Sequence, residues 1–221
     1  MNFPAGLFPE EVAWAAWVPL AVVLFWCLRT ARWKRLLDGS QSHVWAGTIV
    51  VLTLFWSLKA GVKPGLNLHM LGATAFTLMF GRQLAIAGFL AVLAAVTANG
   101  SAAWEAFALN ALVMAVFPCF AAHAILKAVE KWLPANFFIY IFVAAFFGAA
   151  VTVSATGLLS TLALLLVGAY PAADLFTDYF PYFVLLGFAE AWLNGAAITL
   201  MVVYYPHWVG TFDDRRYLFR K

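Results

Sequence analysis

Apolar positions in this chain run in long unbroken stretches, not in the alternation of a half-buried strand or the stripe of an amphipathic helix. Seven stretches stand out, over residues 12–28, 44–58, 68–80, 84–98, 106–126, 137–169 and 180–205. A helix that crosses a bilayer needs about 20 largely apolar residues, so each is a candidate transmembrane helix. The third and fourth are short, and only Gly81-Arg82-Gln83 separates them, which predicts a tight helical hairpin. The sixth would be about 50 Å long as a helix, against a hydrocarbon core of about 30 Å. Thr152, Ser154, Thr156 and Gly157 in its middle offer a place to kink or break. It is either one long tilted helix or two short segments.

Composition narrows the class. Of 221 residues, 65% are hydrophobic and 10% charged, too little polar surface to cover a water-facing globule. Disorder, a collagen-like fibre and a nucleic-acid binder are excluded on the same grounds. Cys27 and Cys119 lie in apolar runs without a CxxC, so neither a zinc cluster nor a disulfide framework is signalled.

Charge placement sets the orientation. With seven spans and the N-terminus outside, Arg29, Arg32, Lys34, Arg35, Arg82, Lys127, Lys131, Arg215, Arg216, Arg220 and Lys221 fall on the cytoplasmic side, leaving Lys59 and Lys63 outside. Splitting the sixth stretch would send the basic C-terminal tail outward against the positive-inside rule. The expected fold is therefore an all-α integral membrane protein, a seven-transmembrane-helix bundle over residues 1–205 with a cytoplasmic C-terminus. A basic and aromatic cytoplasmic tail follows over 206–221, suited to docking or interfacial anchoring. Tryptophans fit this orientation, with Trp14, Trp17, Trp56 and Trp104 toward the outer boundary and Trp33, Trp45, Trp132 and Trp208 toward the inner one. Residues 1–11 carry no basic region of a cleaved signal peptide. The opening nine residues, apolar apart from Asn2 and holding two prolines, are expected to fold back into the bundle from outside.

Polar groups at membrane depth mark candidate chemistry. Pro64 and Gly65 break the chain, Asn67 is placed to cap the third helix, and His69 falls in its first turn. A neutral imidazole there either binds a metal arriving from outside or simply bonds a carbonyl. Asn110, inside the fifth stretch, either ties helices together or pins a loop. Glu190, with Asn194 one turn on, is a cation ligand, a proton carrier or a hydrogen-bonded structural group. A buried N-terminus would deliver its α-amine as a nitrogen ligand; otherwise residues 1–9 form an interfacial flap. There is no phosphate-binding loop, HExxH or GxSxG, and no nucleophile accompanies Glu190, so an enzyme is not expected.

These places carry a family resemblance. Met1-Asn2-Phe3-Pro4-Ala5-Gly6-Leu7, Leu68-His69-Met70-Leu71-Gly72-Ala73, Ala108-Leu109-Asn110-Ala111-Leu112-Val113-Met114 and Gly187-Phe188-Ala189-Glu190 with Thr199 resemble motifs of the CbiM/NikM family. These are substrate-capture components of energy-coupling factor transporters for cobalt and nickel. The resemblance covers residues 1 to about 205. It implies a seven-helix fold with an inserted N-terminus, and coupling and ATPase subunits supplied by other chains of a bacterial-type inner membrane. It also implies a square-planar metal site of the N-terminal amine, the residue 2 amide nitrogen, a residue 2 imidazole and the histidine at position 69. Residue 2 is Asn here, so the chain keeps three of those nitrogens, from Met1, Asn2 and His69. Asn67, Met70 and Glu190 are candidate substitute ligands, a Met70 thioether biasing the site toward copper, and Asn67 and Asn110 are expected to brace the N-terminal loop. The expected function is capture of nickel, cobalt or copper for uptake, with no other cofactor. The alternative is a non-transporting subunit that lost the metal site and assembles with another membrane complex.

Overall fold

The computed structural model describes residues 2–37, 39–63 and 66–218. Helices α1 (Glu10–Ala15) and α2 (Trp17–Thr30) form one apolar rod that bends where Pro19 removes an amide donor from the first turn of α2. A 3-10 turn, Trp33–Leu37, leads into α3 (Gly39–Ser57). Strands β1 (Ala60–Lys63) and β2 (Leu66–Leu68) then pair as a small antiparallel hairpin, with Gly61 opposite Asn67.

The hairpin leads into α4 (Ala73–Phe80), and α5 (Arg82–Ala98) returns alongside it. Here the sequence-based expectation is corrected. Residues 68–80 do not form one spanning helix, because residues 66–72 are non-helical and α4, at 8 residues, is only about 12 Å long. Asn67 therefore caps no helix and His69 lies ahead of α4, not in its first turn. The boundary is Gly72, whose φ of +69° is left-handed and whose missing side chain leaves room for Leu52 of α3; a Cβ would lie 2.5 Å from Leu52 Cδ2. Gly72→Ala is expected to cost about 1–2 kcal/mol through strain and the Leu52 contact, read as a lower thermal midpoint in detergent.

Helix α6 (Phe107–Ala111) continues through a π-helical turn, Leu112–Val116, into α7 (Phe117–Trp132). Pro118 explains the widened turn, since its ring would clash with a carbonyl of a regular helix and it offers no N–H. Helix α8 (Phe137–Ile139), capped by Asn136, runs through a second π segment, Tyr140–Phe147, into α9 (Gly148–Leu166). The sixth stretch is thus one continuous helix of 30 residues. Its irregularity is at 140–147 and not at the polar residues 152–157. Thr156, Ser160 and Thr161 each donate back to the carbonyl four residues earlier, so their hydroxyls are satisfied without breaking the helix. Gly157 gives the Phe183 ring its seat where α9 lies against the final long helix.

Helices α10 (Ala172–Asp178) and α11 (Phe180–Tyr204) follow, then a 3-10 turn, Pro206–Trp208, and α12 (Asp214–Tyr217). The segment expected as a tail packs back on the bundle. Gly210 N and Thr211 N donate to Met79 and Leu78 carbonyls at the end of α4, and Val209, Phe212 and Tyr217 are buried.

Among the described residues, four helical stretches, Glu10–Thr30, Phe107–Trp132, Phe137–Leu166 and Ala172–Tyr204, are long and apolar enough to cross a membrane. Large apolar side chains stay exposed along them, among them Val18, Val22 and Phe25 on α2 and Leu185, Phe188 and Trp192 on α11. A water-soluble surface would not present such continuous rows, whereas lipid favours them. The chain is a multi-pass all-α membrane protein whose core surrounds α4.

Candidate metal centre

The N-terminal segment is buried from its first described residue. Asn2 and Phe3 are 3% and 1% exposed, and Phe3 stacks on Phe8 as the chain turns through Gly6 toward α1. Asn110 on α6 holds Phe3 from both sides. Phe3 N donates to Asn110 Oδ1 at 2.8 Å, and Asn110 Nδ2 donates to the Phe3 carbonyl at 3.1 Å. That pairing satisfies both backbone groups of a segment that has no secondary structure of its own. Asn2 N donates to Asn67 Oδ1 on β2 at 3.3 Å. The metal-ligating role read for Met1 falls outside the described residues.

His69 lies opposite Asn2 and is also buried, at 3% exposure. Its Nδ1 is 3.1 Å from the Met70 carbonyl, its Nε2 is 3.1 Å from Asn2 Oδ1, and its ring packs 4.8 Å from the Trp56 indole. A ring that donates from Nδ1 to a carbonyl presents a bare lone pair at Nε2, the orientation common among metal-binding histidines. The Asn2 carboxamide sits on that lone pair. Its buried Nδ2 has no partner among the described residues, and turning the amide over would let it donate to Nε2. The arrangement is self-consistent without a metal, and a metal at Nε2 has to displace the Asn2 side chain.

Glu190 and Asn194 of α11 hold the backbone that follows His69. Glu190 accepts from Leu71 N, from Gly72 N at 3.1 Å to each oxygen, and from Asn194 Nδ2 at 2.7 Å. Asn194 Oδ1 accepts from Ala75 N at 2.8 Å. Together they occupy the otherwise unpaired donors at the start of α4, where a carboxylate also suits the helix dipole. Met70 contributes its carbonyl to His69, and no described contact brings its thioether to Nε2. The structure thus brings Asn2, Asn67, His69 and Asn110 together, and sets Glu190 just behind them on the main chain.

Trp56 is the residue whose part in the site the sequence pattern does not reveal. It is fully buried, donates from Nε1 to the Leu71 carbonyl at 3.2 Å, and packs between His69 and Phe89. It forms a wall of the site. Asn194 was legible only as a neighbour of Glu190, since nothing in the sequence shows it reaching Ala75.

Comparison with known proteins shows the family and the fold. A profile of the family described as "Cobalt uptake substrate-specific transmembrane region" (CbiM) matches residues 2–208. No curated protein matches the chain. A crystal structure of a transition metal transporter shares its fold, with a TM-score of 0.78 and 16% identity, covering 94% of this chain and 96% of the other. A truncated transition metal transporter matches equally well, at TM-score 0.78 and 16% identity, over 92% and 99% of the two chains.

Proposed function

We propose that this chain, which belongs to the cobalt-uptake substrate-specific transmembrane family, captures a divalent transition-metal ion from the outer side of the membrane for uptake. The family is a transporter component and not an enzyme. In this reading the chain crosses a bacterial-type inner membrane seven times, with the extended lead and α4 together making one passage. The N-terminus lies outside and the basic C-terminal end inside. Energy comes from coupling and ATPase subunits on other chains.

The Met1 amine, the Asn2 backbone nitrogen and His69 Nε2 are the proposed ligands, a nitrogen-rich set suited to nickel(II), cobalt(II) or copper(II). The observation that carries this is His69 itself. It is buried, its Nδ1 is tied to the Met70 carbonyl, and its Nε2 is turned toward the inserted N-terminus. A histidine serving only to bond a carbonyl needs no residue from the far end of the chain at its other nitrogen. Asn110 would brace the loop so that amine and imidazole meet, and Asn67 holds the Asn2 nitrogen only until ligation removes the proton it donates.

A second reading rests on the same contact. Asn2 occupies Nε2, so the fold can serve as a non-transporting subunit that closed its metal site and assembles with another membrane complex. Metal content by mass spectrometry separates the two, on protein with a native untagged N-terminus reconstituted with nickel, cobalt, copper or zinc. Capture predicts near-stoichiometric transition metal in the wild type and its loss in His69→Ala. No metal under any of these conditions favours the second reading.

A further inference from the structure

The end of the bundle away from His69 holds a second cavity, of about 390 Å³, that neither reading uses. It opens between the ends of α2 and α4, the start of α5, α7 and the C-terminal segment. Arg32, Arg35, Arg82, Lys127 and His123 line it, and Glu130 is the one carboxylate among its described lining residues. Glu130 is already engaged, at 2.6 Å from Lys127 and 3.0 Å from Arg216.

The cations differ in how free they are. Arg35 spends its donors inside the protein, on the Met79, His207 and Trp208 carbonyls and on Gln41 Oε1. Arg82 has its guanidinium face packed over Trp26 at 4.9 Å and Phe120 at 5.1 Å. Stacking fixes the guanidinium plane and leaves the N–H edge available, and among the described residues no carboxylate pairs with it. Converging positive charges in a partly enclosed space repel one another unless an anion offsets them.

We infer that this cavity is a binding site for a phosphate-bearing anion, either the headgroup of an anionic phospholipid or free phosphate. Several cations around one space suit a tetrahedral, multiply accepting anion better than a single carboxylate, and the guanidinium fork of Arg82 matches phosphate oxygens. The volume lies in the range of small-ligand pockets. The basic end of a multi-pass protein is also where anionic headgroups concentrate. The inference does not depend on a metal at His69.

The test measures thermal stability and retained ligand for the full chain in two arms. One arm places it in phosphatidylcholine vesicles with and without phosphatidylglycerol, with lipid retention then followed by native mass spectrometry. The other adds inorganic phosphate, against chloride at equal ionic strength, to lipid-free protein in detergent. Stabilisation by phosphatidylglycerol alone assigns a headgroup, and stabilisation by phosphate assigns the free anion. Either response should weaken by about tenfold in apparent affinity in Arg82→Gln, the loss of one charge-assisted contact. Exposed Arg32→Gln, which disturbs no packing, should weaken it in the same direction, and Lys131→Gln, outside the cavity, should not. A response in neither arm, or one equally strong in both cavity variants, overturns the site.

Discussion

Asn2→His should bind nickel(II) or copper(II) at least on the order of a hundredfold more tightly than the wild type, read by isothermal titration on protein with a native N-terminus. The expected gain follows from where residue 2 sits. Its side chain already reaches His69 Nε2 at 3.1 Å, and its amide nitrogen is held by Asn67. An imidazole there would replace a group that blocks the ligand nitrogen with one that joins it in the same coordination plane. A four-ligand site binding with about 10–16 kcal/mol gains about 3 kcal/mol per nitrogen ligand, which corresponds to that factor. The gain should shrink in Asn2→His/His69→Ala, because the site then again lacks one of its four nitrogens. Equal affinities for wild type and Asn2→His would count against a metal at this place.

How much of this was legible beforehand depended on what each residue advertises. Asn2, His69, Asn110 and Glu190 were conspicuous because polar side chains at membrane depth are costly and so are rarely idle. Their partners were not conspicuous. Asn110 and Phe3 meet across 107 positions, and Asn2 and Asn67 across 65, and no local pattern encodes such a contact. The shortness of α4 was hidden because residues 68–80 are apolar enough to pass for a spanning helix. Only the left-handed backbone at Gly72 betrays the switch, and a glycine in an apolar run has many other readings. Trp56 hides its contacts for another reason, since tryptophan near the end of a span usually marks the interface and nothing local points to Leu71 or His69. The charges and aromatics of the C-terminal segment point to docking or anchoring without saying where. Val209, Phe212 and Tyr217, spaced too irregularly to form a periodic face, are buried, and Gly210 and Thr211 bond the end of α4.

Glu190→Ala should destabilise the folded state through the backbone donors it leaves unpaired. Removing the carboxylate leaves Leu71 N and Gly72 N without their acceptor in a place water does not reach, while Asn194 Nδ2 keeps only the main-chain carbonyl of residue 190. An orphaned buried donor costs about 1–3 kcal/mol, and interhelical bonds in membranes sit at the low end of such scales. A total loss of roughly 2–4 kcal/mol is therefore expected, seen as a lower thermal midpoint in detergent. Glu190→Gln should fall between the two. It keeps one acceptor oxygen but turns an NH2 toward groups that are themselves donors. The consequence for the metal reading is separable from stability. Leu71 and Gly72 lie two and three residues after His69, so freeing them lets the imidazole drift from the N-terminus while the helices of the bundle remain packed. In protein that still folds at low temperature, Glu190→Gln should broaden the copper(II) electron paramagnetic resonance spectrum and weaken binding, whereas Gly72→Ala, which strains the same turn but keeps the carboxylate, should retain the sharper signal. An unchanged spectrum in Glu190→Gln would mean that the carboxylate stabilises α4 and has no part in orienting His69.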